Sequence, residues 1–361
     1  MSRGIEKSTL SFYDQQAKAF RQIPRLRILL QSNFAAPCML EIHPTNRCDF
    51  ACWFCRYEQF RKEKSFDLPF SPLRQTLEQS RRIDVASMLI SGGGEPLVYP
   101  WISELLAVSS TLGFRIGLIT NGHNMPRGIQ ELVVETCDWV RISLDASNAE
   151  TFSRIKRVHT SAFSRVLQNI RSLIKLRSEL NCRVTVGLGF LVGQFNFREM
   201  ADVLRLAEQL QADNVQFRMA EGQGTPNPEI VRQICSTTRS ILESCEFSVK
   251  TNLAQLPDRI DSILESRRYR LCCVSASAPV IAADGSVYPC CVHVGNPSLR
   301  LGNMIEKSFP DIWREWVGRW MKLEAINCPP CSYNKFNETA NAALNNDYHF
   351  ASAAIATDDF I

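Results

Sequence analysis

The chain has 361 residues, 45% hydrophobic and 22% charged, with a net charge of +4 from 41 basic and 37 acidic side chains. A balance this even excludes the basic footprint of a nucleic-acid binder, and no apolar run reaches the roughly 18 residues of a membrane span. Residues 1–9 are polar and unlike a secretory signal, so the fourteen Cys point to metal or redox chemistry in the cytoplasm rather than to disulfides.

Residues 1–37 read as a basic helical lead-in, with Arg21, Arg25 and Arg27 among apolar residues, closed by Pro37. A strand-then-helix rhythm follows. Residues 39–43 are predicted as a strand, followed by a Cys-bearing loop and a helix over 71–82. The next strand covers 86–91, with a helix near 101–112, and the third covers 115–120, with a helix near 127–136. The fourth covers 139–144 and leads to a long helix near 161–180. The fifth covers 183–192, followed by a helix over 195–210, and the sixth covers 215–219. Six such alternations predict an α/β fold of parallel βα units, whose ligand-binding residues sit on loops after the strands. Gly222, Gly224, Pro226 and Pro228 mark a break, and from about residue 255 the chain turns rich in Cys and turn residues. The expected organisation is a lead-in (1–37), a core (38–225), a linker or helical stretch (226–259), a small Cys-rich domain (260–335) and a tail (336–361). No internal repeat is visible.

The loop after the first strand carries Cys48, Cys52 and Cys55 within eight residues. Three thiolates can hold three irons of a [4Fe–4S] cube and leave the fourth iron open to a small chelating molecule. A zinc site is the alternative, but it wants four N or S ligands, and only His43 stands nearby. The C-x3-C-x2-C spacing, with Phe54 just before Cys55, resembles the signature of the radical S-adenosylmethionine (SAM) superfamily. That resemblance implies a partial (β/α)6 barrel and a SAM whose amine and carboxylate occupy the open iron. It also implies reductive cleavage of SAM to a 5′-deoxyadenosyl radical, which takes a hydrogen atom from the substrate.

The run Ser91-Gly92-Gly93-Gly94-Glu95-Pro96 after the second strand allows close backbone approach to a ligand, or makes a plain tight turn. One βα unit after the triplet, it resembles the family's GGEP motif, which binds the SAM amino group. Thr120 and Asn121 after the third strand, and Ser143 and Asp145 after the fourth, resemble positions that meet the SAM methionine or ribose. For Asn121 and Asp145 an Asx turn or helix cap is the alternative. Gly187 and Gly189 on the fifth strand resemble the stretch lying against adenine, with a β-bulge as the alternative.

Near the C-terminus, Asp284-Gly285-Ser286-Val287-Tyr288-Pro289-Cys290 and the knuckle Cys328-Pro329-Pro330-Cys331 resemble the SPASM/twitch extension that binds auxiliary [4Fe–4S] clusters. No Cys follows Cys331, which fits the shorter twitch form with one auxiliary cluster. The resemblance implies Cys272, Cys290, Cys328 and Cys331 as its ligands. Cys273 can take the place of Cys272, and a structural zinc on the same thiolates is the alternative. Cys291, next to a ligand position, is a candidate catalytic residue or an inert buried thiol. Cys38, Cys137, Cys182, Cys235 and Cys245 fall in apolar patterns and read as packing. Gln216 and Arg218 alternate with apolar residues on the sixth strand, where a barrel-facing pair can hold a polar substrate or SAM.

The expected protein is a radical SAM oxidoreductase that oxidises or epimerises a sugar-like or aminocyclitol metabolite. It would draw electrons from a one-electron reductant of the flavodoxin or ferredoxin type, with no nucleic acid or membrane as partner. The rival readings are a maturase that crosslinks or epimerises a ribosomally made peptide and, more distantly, a non-enzymatic iron–sulfur protein.

Overall fold

The computed structural model describes residues 15–32, 34–221, 224–264, 267–320, 328 and 331–345. The expectations for residues 1–14, Gly222, Pro329, Pro330 and the tail from 346 lie outside the described residues. The chain begins with helix α1 (Gln15–Ser32) and strand β1 (Met39–Ile42), followed by α2 (Glu58–Glu63) and α3 (Phe70–Arg82). Next come β2 (Ser87–Ile90), α4 (Ile102–Thr111), β3 (Arg115–Thr120), α5 (Arg127–Thr136) and β4 (Trp139–Ser143). They are followed by α6 (Ala149–Lys156), α7 (Ser161–Glu179), β5 (Thr185–Val192), α8 (Met200–Leu210) and β6 (Asn214–Met219). The rest holds α9 (Pro228–Ser244), β7 (Lys250–Thr251), α10 (Leu256–Leu264), β8 (Val280–Ile281), β9 (Ser286–Tyr288), β10 (Gly302–Asn303), α11 (Phe309–Trp320) and α12 (Asn334–Asn345).

Strands β1 to β6 pair in parallel in chain order, the right neighbour relation for successive βα units. Their side chains follow a period of two. On β5, Val186, Leu188, Phe190 and Val192 are buried, while Thr185, Gly187, Gly189 and Leu191 alternate with them along the strand and line one cavity. The in-facing residues Arg141 and Ser143 on β4 and Glu41 on β1 border that same cavity, so the sheet wraps around it as a partial barrel.

Two features depart from the expected outline. Pro228 does not end the core but opens α9: Asn227 caps the helix by accepting the Ile230 N–H at 2.9 Å, with Pro228 in the first turn. The Cys-rich segment also adds to the barrel sheet. Strand β8 pairs in parallel with β1, in the register Glu41 with Val280 and Ile42 with Ile281, and β9 and β10 continue outward. The result is a ten-stranded sheet in the order β10-β9-β8-β1-β2-β3-β4-β5-β6-β7. An open barrel leaves β1 with bare backbone groups on one edge, and β8 satisfies them.

Helix α11 fastens this segment with three indoles. Trp313 Nε1 donates to the Ala35 carbonyl at 2.8 Å, Trp316 Nε1 to that of Ser275 at 2.8 Å, and Trp320 Nε1 to that of Cys272 at 2.9 Å. Helix α1 lies against α12, so the two ends of the described chain meet beside the cavity.

Candidate active site

The cavity has a volume of about 430 Å³ and is bordered by Cys48, Cys52 and Cys55 as well as by Gly92, Gly93, Gly94, Glu95 and Pro96. Neighbouring elements hold the Cys loop in place. Ala51 N–H donates to the Lys156 carbonyl and Trp53 N–H to that of Ile155, each at 3.1 Å, so the loop leans on the end of α6. The Arg47 guanidinium donates to Asp67 Oδ1 through two nitrogens at 3.1 Å. Two sulfurs already face donors: Cys48 Sγ accepts the Phe50 N–H at 3.4 Å, and Cys55 Sγ accepts from Arg61 at 3.7 Å.

Among the described residues no three His, Cys, Asp or Glu side chains close around a single ion. Burial pushes the Cys48 thiol up to about 12, so iron must displace its proton, as metal binding to thiols requires.

The glycine turn docks directly on this loop. Gly94 N–H donates to the Thr45 carbonyl at 3.0 Å and Glu95 N–H to that of Arg47 at 2.8 Å. A Cβ on Gly94 would lie 2.0 Å from the Arg47 carbonyl oxygen, so only glycine lets the two loops meet.

Glu95 faces the protein rather than standing as a lone acceptor for a ligand. Its Oε1 accepts from Thr120 Oγ1 at 2.5 Å and Leu97 N–H at 3.0 Å, and its Oε2 accepts from Asn121 N–H at 2.7 Å. Burial outweighs these bonds and raises its carboxyl to about 7. Asn121 makes the Asx turn that was its alternative, accepting the His123 N–H at 2.9 Å, and also donates to Asp49 Oδ1 at 2.7 Å. Asp49 Oδ2 meets His123 Nδ1 at 2.9 Å, so the loops after β1, β2 and β3 form one bonded unit.

Asp145 is also committed. It sits in the left-handed region at φ +60°, accepts the Leu191 N–H at 2.6 Å and pairs with Lys156. Both side chains of that pair are buried, and Lys156 lies within electrostatic reach of Cys52 and Cys48. Sequence reasoning missed Lys156, because on α6 it resembles any solvated helix charge. Ser143 borders the cavity. Gly187 makes room for Asn214, whose Oδ1 would lie 2.2 Å from a Cβ there, whereas a Cβ on Gly189 would meet only ordinary contacts.

The opposite end of the cavity is polar. Glu41 Oε1 accepts from Ser91 Oγ at 2.5 Å and meets His43 Nε2 at 3.0 Å, while Tyr57 packs edge-on against His43 and donates to the Cys291 carbonyl at 3.3 Å. Arg56 pairs with Glu221, Arg141 bonds Gln216, and Arg218 donates to Ser332 Oγ at 3.2 Å. Cys291 and Tyr333 border this end, and burial pushes the Cys291 thiol up to about 12. None of Cys38, Cys137, Cys182, Cys235 and Cys245 borders the cavity.

Cys272 lies within electrostatic reach of Cys290, Cys328 and Cys331, and Cys290 within reach of Cys331. Cys273 is fully buried and turned away, with its Sγ next to Asn341 Nδ2 at 3.6 Å and the Leu271 carbonyl at 3.9 Å. His293 Nε2 lies 3.2 Å from Cys328 Sγ, a contact that the sequence did not suggest. Four thiols can close all four irons of a cluster, and His293 and Cys291 lie beside them.

Residues 42–207 match the family profile of the radical SAM superfamily, and residues 272–333 match that of the SPASM iron–sulfur cluster-binding domain. The chain carries a radical SAM domain and a SPASM-type C-terminal domain, and these matches mark an enzyme that uses SAM, a [4Fe–4S] cluster and an auxiliary cluster. It is 24% identical over 323 residues to the tungsten-containing aldehyde ferredoxin oxidoreductase cofactor-modifying protein of Pyrococcus furiosus, covering 81% of this chain and 86% of that protein. It is 23% identical over 325 residues to the AdoMet-dependent heme synthase of Methanosarcina barkeri, covering 83% of this chain and 90% of that one. Among solved structures it resembles Streptococcus suis SuiB bound to its precursor peptide SuiA, with a TM-score of 0.62 at 17% identity, over 87% of this chain and 72% of SuiB. At that identity the likeness to SuiB shows the fold alone. Among the described residues no helix is long and apolar enough to cross a membrane.

Proposed function

We propose that Cys48, Cys52 and Cys55 hold the SAM-binding cluster, that Cys272, Cys290, Cys328 and Cys331 hold the auxiliary one, and that the protein oxidises or epimerises a small polar metabolite at a carbinol C–H. One observation carries this reading: a single cavity runs from the Cys triplet and the glycine turn to a polar end with Cys291, Tyr333 and Arg218. Bound at these sites, the first cluster supplies the electron that cleaves SAM to a 5′-deoxyadenosyl radical, and the second takes up or relays an electron. The residues of the chain then do the positioning. Gly92, Gly93 and Gly94 would hold the SAM amine, and Thr120, Asn121 and Ser143, which border the same cavity, would meet its ribose and methionine. Lys156 places positive charge near the thiolates, where the SAM carboxylate must sit.

After hydrogen abstraction the substrate carries a carbon radical. Cys291 can return a hydrogen atom from its S–H to the opposite face, which inverts the centre and leaves a thiyl for the external reductant to restore with one electron and one proton. If the radical instead loses an electron and a proton, the carbinol becomes a carbonyl. Turnover in deuterium oxide separates the two. Deuterium at the reacting carbon without net oxidation marks epimerisation and requires Cys291, whereas a carbonyl product from the Cys291→Ala variant marks oxidation. Turnover of a peptide alone, with no small metabolite accepted, overturns the proposal in favour of the maturase.

A further inference from the structure

The carboxylates that border the cavity are all matched. Each carboxylate has its partners: Glu95 takes Thr120 and two backbone N–H groups, Asp145 takes Lys156, Glu41 meets His43 and Ser91, and Glu221 takes Arg56. Arg218 is different. Among the described residues its guanidinium makes one hydrogen bond, to the neutral Ser332 hydroxyl at 3.2 Å, and no ion pair. A guanidinium keeps its proton where a lysine can lose it, and Glu221 and Glu41 lie within electrostatic reach of this one without hydrogen bonding it. Its fork of five N–H donors suits the two oxygens of a carboxylate or phosphate.

Arg218 stands at the carboxyl end of β6 with Gln216 on the same face, and Tyr333, Glu221, Cys291, Arg56 and Glu41 are among its electrostatic neighbours. The charge available to the SAM carboxylate is that of Lys156, which neighbours Cys52 and Cys48. Among the described residues the Arg218 fork thus bonds one neutral hydroxyl and keeps further N–H donors for a ligand in the cavity.

We propose that this end of the cavity is an anion subsite, in which Arg218, with Ser332 and Tyr333 beside it, receives a carboxylate or phosphate group on a small sugar-like substrate. This rests on the reading that the substrate shares the cavity with SAM. It narrows that reading from a cationic aminocyclitol to an acidic or phosphorylated sugar, because an ammonium group would meet Arg218 as a like charge. Held there, the anion places the rest of the molecule between Cys291 and the SAM end.

The test uses the anaerobically reconstituted full chain with SAM bound, and three probes of similar size: glucose, glucuronate and glucose 6-phosphate. Calorimetry is expected to show at least tenfold tighter binding of one or both anionic probes than of glucose. In Arg218→Gln the ratio falls to about one, while Arg218→Lys keeps part of it, and SAM affinity and iron content stay as in wild type. Glucuronate and glucose 6-phosphate, compared with each other, tell a carboxylate from a phosphate site. Equal binding of all three probes by the wild type, or charge discrimination that survives Arg218→Gln, overturns the subsite. Release of 5′-deoxyadenosine is read separately: its absence would sink the radical reading and leave the binding result standing.

Discussion

The two cysteine regions are built in opposite ways. The loop of Cys48, Cys52 and Cys55 spans eight residues and is held by backbone bonds to α6 and the glycine turn, so its shape comes from the barrel. The set Cys272, Cys290, Cys328 and Cys331 spans sixty residues, and its ties to the rest are the short strand β8 and the indoles of α11. The first region is a preformed socket. The second is also tied to the barrel by Tyr57 and Arg218, and a metal on its thiols would join its distant segments further.

The largest effect expected from this difference is on activity. Replacing Cys48, Cys52 and Cys55 with Ala should abolish SAM cleavage while the far-ultraviolet circular dichroism of the barrel stays unchanged. Removing the auxiliary metal through Cys290→Ala should expose the 272–333 segment to limited proteolysis, with the barrel fragment intact and 5′-deoxyadenosine still formed. Equal protease sensitivity of both regions would break the contrast.

Next in size is the Asp145–Lys156 pair, which braces the socket from beneath. Asp145→Asn strands a buried ammonium and Lys156→Met a buried carboxylate, and each should cost about 3–5 kcal/mol in denaturant unfolding. Glu95 gives a pH signature of similar size. Its carboxyl is raised from 4.5 to about 7, so between those values the native state keeps a proton that the unfolded chain has released. Stability should therefore fall as pH rises through that window and level off above it, by about 3 kcal/mol at about 1.4 kcal/mol per pH unit. In Glu95→Gln that slope should vanish.

The smallest effects discriminate within the C-terminal set. Cys272→Ser should lose the auxiliary iron, whereas the buried Cys273→Ser should keep it. His293→Ala, which removes a nitrogen lying 3.2 Å from Cys328 Sγ, should lower the potential of the auxiliary cluster without removing it.

The six βα units were legible because apolar residues recur at every second position in the strands and on one face of the helices, and β3 and α5 start and stop where expected. Strand β8 has two residues and carries no period, so its pairing with β1 could be seen only in space. The Cys triplet and glycine turn were legible because each is contiguous. Lys156, Asp49, His123 and Tyr57 were not, since their partners lie in other loops and each looks like an ordinary residue locally. Glu41 left a trace: a carboxylate at an in-facing position of the apolar run Met39-Leu40-Glu41-Ile42 breaks the strand's pattern and marks the cavity wall. The bond between Glu95 and the Thr120 hydroxyl was not legible, because the two lie 25 residues apart in the sequence.

The central claim is that the triplet holds a cluster that cleaves SAM. It is tested most directly by quantifying 5′-deoxyadenosine after adding SAM and dithionite to the anaerobically reconstituted chain. The expected result is 5′-deoxyadenosine from the wild type and none from the variant lacking Cys48, Cys52 and Cys55. A wild type with full iron content that forms none, or a triple variant that forms as much, would contradict it.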